Sequence, residues 1–160
     1  MGSEMCIRDR LETWEPAVRE SVRQTLSDYT AATDSFNLSA LASCFTSNGV
    51  LEYTGGDVQL VGPSQIESGL SAQLRGADPD RIQPSYVRHH VSSVRFSRVL
   101  ADRVEASSYF VVLTDHGVDH WGRYRDVLVP QAGRWLFTSR CIKVDGFSPT
   151  SLMNPAENRE

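Results

Sequence analysis

Apolar residues recur at steps of three and four between Trp14 and Phe36, at Val18, Val22, Leu26, Tyr29, Thr33 and Phe36. That spacing gathers them on one stripe of a helix, and Pro16 falls in its first turn, where a missing N–H costs nothing. A shorter helical stretch follows, with Asn37 or Ser39 as N-cap and Leu38, Leu41, Ala42 and Phe45 as its buried side. Ser47-Asn48-Gly49 ends it. Val50 to Thr54 alternates as a short strand, Gly55-Gly56-Asp57 turns, and Val58 to Val61 returns as its hairpin partner. Gly62-Pro63-Ser64 opens a third helix carrying Ile66, Leu70 and Leu74, and Gly76 to Asp80 stops it. The polar stretch to Pro84 is the longest expected loop, with a lid over a pocket as one use for it.

From Pro84 the period changes. Four long strand-like segments cover Pro84 to Val99, Arg103 to Thr114, Val118 to Val129 and Arg134 to Val144. The joins between them are so short that the strands must be antiparallel neighbours in a meander. Strands this long in a twisted sheet have to coil, which creates a concave side. Three preceding helices can close that side into a cone with an apolar hollow, an α+β architecture. The domain is expected to span residues 14–147, with 1–13 as a disordered or appended segment and 148–160 as a flexible tail.

Composition narrows the function classes. The 160 residues are 40% hydrophobic and 22% charged, as in a soluble globular protein, and carry a net charge of −4. The 16 basic residues are scattered, which argues against a nucleic-acid partner, and no apolar run approaches the roughly 20 residues of a membrane span. Cys6, Cys44 and Cys141 have no ligand or disulfide spacing and read as reduced thiols of a cytoplasmic protein. No phosphate loop, nucleophile elbow, metal motif or repeat is present, so no cofactor and no metal are expected.

The candidate chemistry sits in Ser85 to Phe96, which holds His89 and His90 side by side in a strand. Adjacent strand side chains point to opposite faces, so one of the two can face an interior. His116 and His120, in and beside a tight turn, are expected to be exposed. Glu52 and Asp126 are expected as solvated strand residues or ion-pair partners of nearby arginines.

Four pieces, in order, carry a family resemblance: Tyr29 to Asp34, Leu41 to Gly49, Arg88 to Val94, and Gly122-Arg123-Tyr124-Arg125-Asp126 with Gly133-Arg134-Trp135. Together with the helix, helix, hairpin, helix, meander order, they resemble the SnoaL-like branch of the nuclear transport factor 2-like superfamily. The likeness spans residues 16 to 146. Its implied fold is a cone-shaped curved antiparallel sheet, an α+β barrel, closed by three N-terminal helices.

Within that branch the chain is similar to scytalone dehydratase, bile-acid dehydratase and a dehydrochlorinase of chlorinated cyclohexanes. There a strand His pairs with an Asp near the end of the first helix. By motif the Asp is Asp34 and the His is His89, or His90 where the strand bulge differs. Tyr53 falls where scytalone dehydratase holds a water-binding tyrosine, and Tyr29 matches a tyrosine of the bile-acid enzyme. Many members have Asn where this chain has Ser93.

The resemblance implies a cofactor-independent lyase or isomerase of the dehydratase type, working on a small hydrophobic cyclic substrate. Phe36, Tyr109, Tyr124 and Trp121 are expected to contact it. Trp121, Tyr109 or Phe110 also fit an exposed face that takes a second copy, as a homodimer or homotrimer. Two alternatives stay open. One is a non-catalytic module like the small subunit of ring-hydroxylating dioxygenases, and the other a polyketide cyclase or ketosteroid-isomerase-like enzyme with a carboxylate base. In the non-catalytic case Asp34 is a helix-end residue, and Tyr29 and Tyr53 are ordinary core.

Overall fold

The computed structural model of the chain describes residues 12–55, 58–75, 84–149 and 151. The expected lid at 76–83, Cys6, residues 1–11 and most of the tail lie outside the described residues. The elements, in order, are α1 (Glu15–Asp34), α2 (Leu38–Ala42), β1 (Phe45–Tyr53), β2 (Gln59–Val61), α3 (Gly62–Arg75), β3 (Val87–Val99), β4 (Val104–Thr114), β5 (Gly117–Gln131) and β6 (Arg134–Phe147).

The meander forms as the short joins require, and the six strands lie in the order β2-β1-β6-β5-β4-β3. Three features differ from expectation. Phe45 to Gly49, expected on the second helix and at its end, form the first half of β1. β1 pairs with β6 in parallel, because the chain crosses from one end of the sheet to the other between them. The curved sheet also stays open, with β2 and β3 as separate edges, so it is a cone wall and not a closed barrel.

One helix face covers the concave side. Val22, Leu26 and Tyr29 of α1 are buried with Leu51, Phe110, Tyr124, Leu128 and Phe137 of the sheet. The Thr25 hydroxyl donates to the Trp135 carbonyl, tying α1 to β6. α1 ends in a Schellman motif: Phe36 N donates to Thr33 O at 3.0 Å and Asn37 N to Ala32 O at 2.9 Å. Phe36 itself takes the left-handed position at φ 55°, usually a glycine's, and its ring is 53% exposed.

Bulges decide which side chains face inward. In β3 the register shifts between Ser92 and Arg95, and Ser93 has φ 54°. Val94 and Phe96 are half-buried, so an unbroken alternation would turn His90 inward too. The extra residue reverses the parity, and Val87, His89 and Val91 face in while Arg88 and His90 are exposed. The left-handed backbone at Ser93 is one that Asn would hold with less strain. A second bulge, in β5, sets Val112 opposite His120 but Leu113 opposite Val118, leaving Asp119 as the extra residue.

Among the described residues, no helix is long and apolar enough to cross a membrane.

Candidate active site

His89, Val112 and His120 occupy one row across β3, β4 and β5 and all face the concave side. The sheet's curvature brings the two imidazoles to a centroid separation of 6.4 Å, edge to face. Each is tied to a carboxylate through Nδ1.

Asp34, at the last position of α1, takes His89 Nδ1 at 2.7 Å. It also accepts the His89 backbone N–H at 3.0 and 3.2 Å, one distance to each oxygen. An ionised carboxylate only accepts, so Nδ1 carries the proton and Nε2 keeps its lone pair. Nε2 makes no hydrogen bond among the described residues. Burial lowers the His89 pKa from its usual 6.5, opposed by the hydrogen bond and charge of Asp34. The neighbouring His120 and Arg140 charges press it down as well.

The second pair is His120 with Asp119, Nδ1 to Oδ2 at 2.7 Å, both residues buried. His120 was expected to be exposed beside its turn, and the structure corrects that. Counting back in twos from Tyr124 through Gly122 reaches His120 on the inward side, so strand parity carried the signal. Proximity to the turn outweighed it. Gly122 makes room here, since a Cβ would lie 2.1 Å from the Lys143 carbonyl oxygen and 2.8 Å from the Phe110 ring. That ring stacks on Tyr124 at 4.6 Å and meets His120 at 5.8 Å.

Deeper in the concave side, Arg140 of β6 is 1% exposed and makes a bidentate pair with Asp126 of β5 at 2.8 and 2.9 Å. Its guanidinium lies 4.1 Å from the ring centres of Tyr29 and Tyr124 and 4.4 Å from that of Phe137. Burial alone would lower the Arg140 pKa, but the Asp126 charge and hydrogen bonds more than offset it, and the group stays charged. Asp126 is therefore a buried ion-pair partner and not a solvated residue. Arg140 Nη1 and Ser108 Oγ, both buried, have no hydrogen-bond partner among the described residues. Tyr29, Tyr53 and Tyr124 have pKa values raised by burial, so all three keep their phenol protons.

Of the residues singled out from the sequence, the structure brings Asp34 and His89 into contact and sets Tyr29 against Tyr124, their ring centres 6.5 Å apart. Tyr53 is half-buried at the end of β1. His90 points outward by the parity just described. Phe36, Tyr109 and Trp121 are corrected as substrate contacts. Phe36 leaves the helix at its C-cap, while Tyr109 and Trp121 stand 57% and 42% exposed on the convex face, out of phase with Phe110 and His120. Two clefts of about 360 and 330 Å³ touch neither imidazole; one lies between α1 and α2 beside Arg134, the other on the convex face around Arg125. Sequence reading missed His120, Asp119 and Arg140, and among the described residues no group of three or more His, Cys, Asp or Glu can hold a metal ion.

A cone-shaped α+β domain with this strand order is a nuclear transport factor 2-like protein. Within that class the chain belongs to the SnoaL-like domain family, whose model matches residues 14–141. Solved structures agree. A protein from Catenulispora acidiphila, in complex with S-DNPA, is 28% identical, with 81% of this chain and 95% of that chain covered and a TM-score of 0.69. A putative scytalone dehydratase from Novosphingobium aromaticivorans is 17% identical, covering 86% and 91% of the two chains with a TM-score of 0.71. ActVI-ORFA from Streptomyces coelicolor is 23% identical, covering 81% and 98% with a TM-score of 0.67. No curated protein matches the sequence significantly.

Proposed function

We propose that the domain binds a small hydrophobic molecule on the concave side of its sheet, where His89 and His120 meet, and acts as a cofactor-independent lyase of the dehydratase type. The observation that carries this is the pair of imidazoles, each on its own carboxylate, facing one another at 6.4 Å. The ligand of the Catenulispora protein and the scytalone dehydratase likeness support small-molecule binding and this chemistry. Nothing in the arrangement requires a metal or organic cofactor.

In this reading His89, kept neutral by its lowered pKa, takes a proton alpha to a carbonyl through Nε2. His120 relays that proton to the departing beta hydroxyl, so water leaves and a conjugated double bond forms. Charge developing on the carbonyl oxygen finds donors in Tyr29, Tyr53 and Arg140 Nη1. The substrate class is a small cyclic hydroxy-ketone.

The test is a panel of cyclic beta-hydroxy-ketones followed by the absorbance of the conjugated product. Wild-type protein is expected to turn over at least one member, and His89→Asn to lose about 10²-fold or more of that rate. Activity that survives in His89→Asn would favour the carboxylate-base enzymes instead. An inert panel would leave a binding module.

We also infer a second copy of the chain on the convex face. Trp121 pairs with Val111, and Tyr109, two residues along β4 and opposite Arg123, stands exposed on the same face. Light scattering is expected to give twice the monomer mass for wild type and the monomer mass for a Tyr109→Glu, Trp121→Glu variant. A monomeric wild type would end the dimer proposal. The unpaired Cys44 and Cys141 are consistent with a cytoplasmic location.

A further inference from the structure

The two imidazole–carboxylate pairs are built differently. The Asp34 carboxylate is fixed on both oxygens by the His89 backbone N–H, in addition to the ring. Asp119 belongs to a bulge, where ladder bonding restrains the chain less. Its restraint comes from beyond the last strand. Ser148 N donates to Asp119 O at 2.8 Å, and Ser151 N donates to Ser148 O at 3.1 Å, closing a turn with Pro149 at its second position. Ser151 is completely buried, and its hydroxyl donates to Asp119 Oδ2 at 2.8 Å. This is the same oxygen that holds His120 Nδ1 at 2.7 Å.

We propose that Ser151 is a positioning residue for His120, acting through Asp119. A carboxylate oxygen that accepts two hydrogen bonds from fixed donors has one rotamer available, and the imidazole inherits that orientation and its Nδ1–H tautomer. Ser148 and Ser151, beyond β6, are thereby part of the site, and Ser151 supplies for His120 what a backbone amide supplies for His89. The role in turnover rests on the reading of His120 as the second proton-handling group; the effect on the ring does not.

The experiment is nitrogen NMR of the histidine rings in the full chain without substrate, with His120 assigned by its loss in His120→Gln. Wild type is expected to show His120 as a single Nδ1–H tautomer. Ser151→Ala should give an averaged, mixed signal and Ser151→Thr, which keeps the hydroxyl, should restore the wild-type one. Ring shifts unchanged in Ser151→Ala, or a wild-type ring that is already mixed, overturn the proposal. Should Ser151→Ala melt far below wild type, Ser151→Cys, close in volume and a weak donor, takes its place with the same expectation.

On a substrate found with the panel, Ser151→Ala is expected to lower kcat about tenfold, with KM within about twofold, and Ser151→Thr to recover it. An unchanged kcat in that setting also overturns it. If wild type turns over nothing, the lyase reading fails while the ring tautomer still decides the role of Ser151.

Discussion

Asp126→Ala is expected to destabilise the protein by about 3–5 kcal/mol, the cost of leaving a buried guanidinium without its counter-charge. At this chain length that corresponds to a fall in melting temperature of about 6–20 °C. Arg140 is 1% exposed, so water cannot replace the carboxylate without opening the packing of α1 on the sheet. The aromatic rings around it satisfy the charge only partly, since cation–π attraction of a desolvated pair is about 2 kcal/mol. Removing both charges should be milder. Asp126→Leu with Arg140→Met keeps volume and carries no uncompensated ion, so it is expected to recover much of the single variant's loss. Calorimetric or circular-dichroism melts decide it. A single variant melting within about 2 °C of wild type would show that the pair contributes little.

Asp34→Asn is expected to lower kcat by about 10²-fold or more and to move the acid limb of the kcat/KM profile to lower pH. The sign follows from what acts on His89. Burial lowers its pKa below 6.5, and the hydrogen bond and charge of Asp34 are the two influences that raise it. Without the carboxylate charge the ring loses protons more readily and is also a weaker base, so the limb shifts down while the plateau falls. A limb that moves up, or a plateau that does not fall, would remove Asp34 from the chemistry.

The same lowered pKa enters stability. His89 binds its proton more readily in the unfolded chain, so the stability it contributes is present in full above the unfolded value near 6.5. It is lost as pH falls through the folded value. Asp34→Asn widens that window towards acid, which chemical denaturation between pH 7 and 5 would show.

Hydrophobic spacing was enough to give the elements and their order, because each must bury one face and periods of 3.6 and 2 report which residues share it, but it assigned Phe45 to Gly49 to the second helix and its end where β1 takes them. The short joins likewise dictated the meander. From one sequence the Asp34–His89 contact could be named as a pair but not separated from Asp34–His90. Those histidines differ only in parity, and parity was set by a bulge at Ser93 whose left-handed backbone leaves no mark in the hydrophobic pattern.

His120 and Arg140 show the same limit. Each stands in a strand whose alternation is clear, yet polar residues read as outward until the structure shows a partner that makes burial affordable, Asp119 for one and Asp126 for the other. Tyr109 and Trp121 are the converse, large apolar residues left outside because their neighbours in the strand took the inward positions. The chain by itself thus determined the elements and their order, since burial of a periodic face is a local requirement. Only the tertiary structure decided which polar groups meet inside. A buried ion or imidazole is stable only against a partner, and whether that partner is the adjacent residue, as Asp119 is for His120, or one 55 positions away, as Asp34 is for His89, is not written in the hydrophobic pattern.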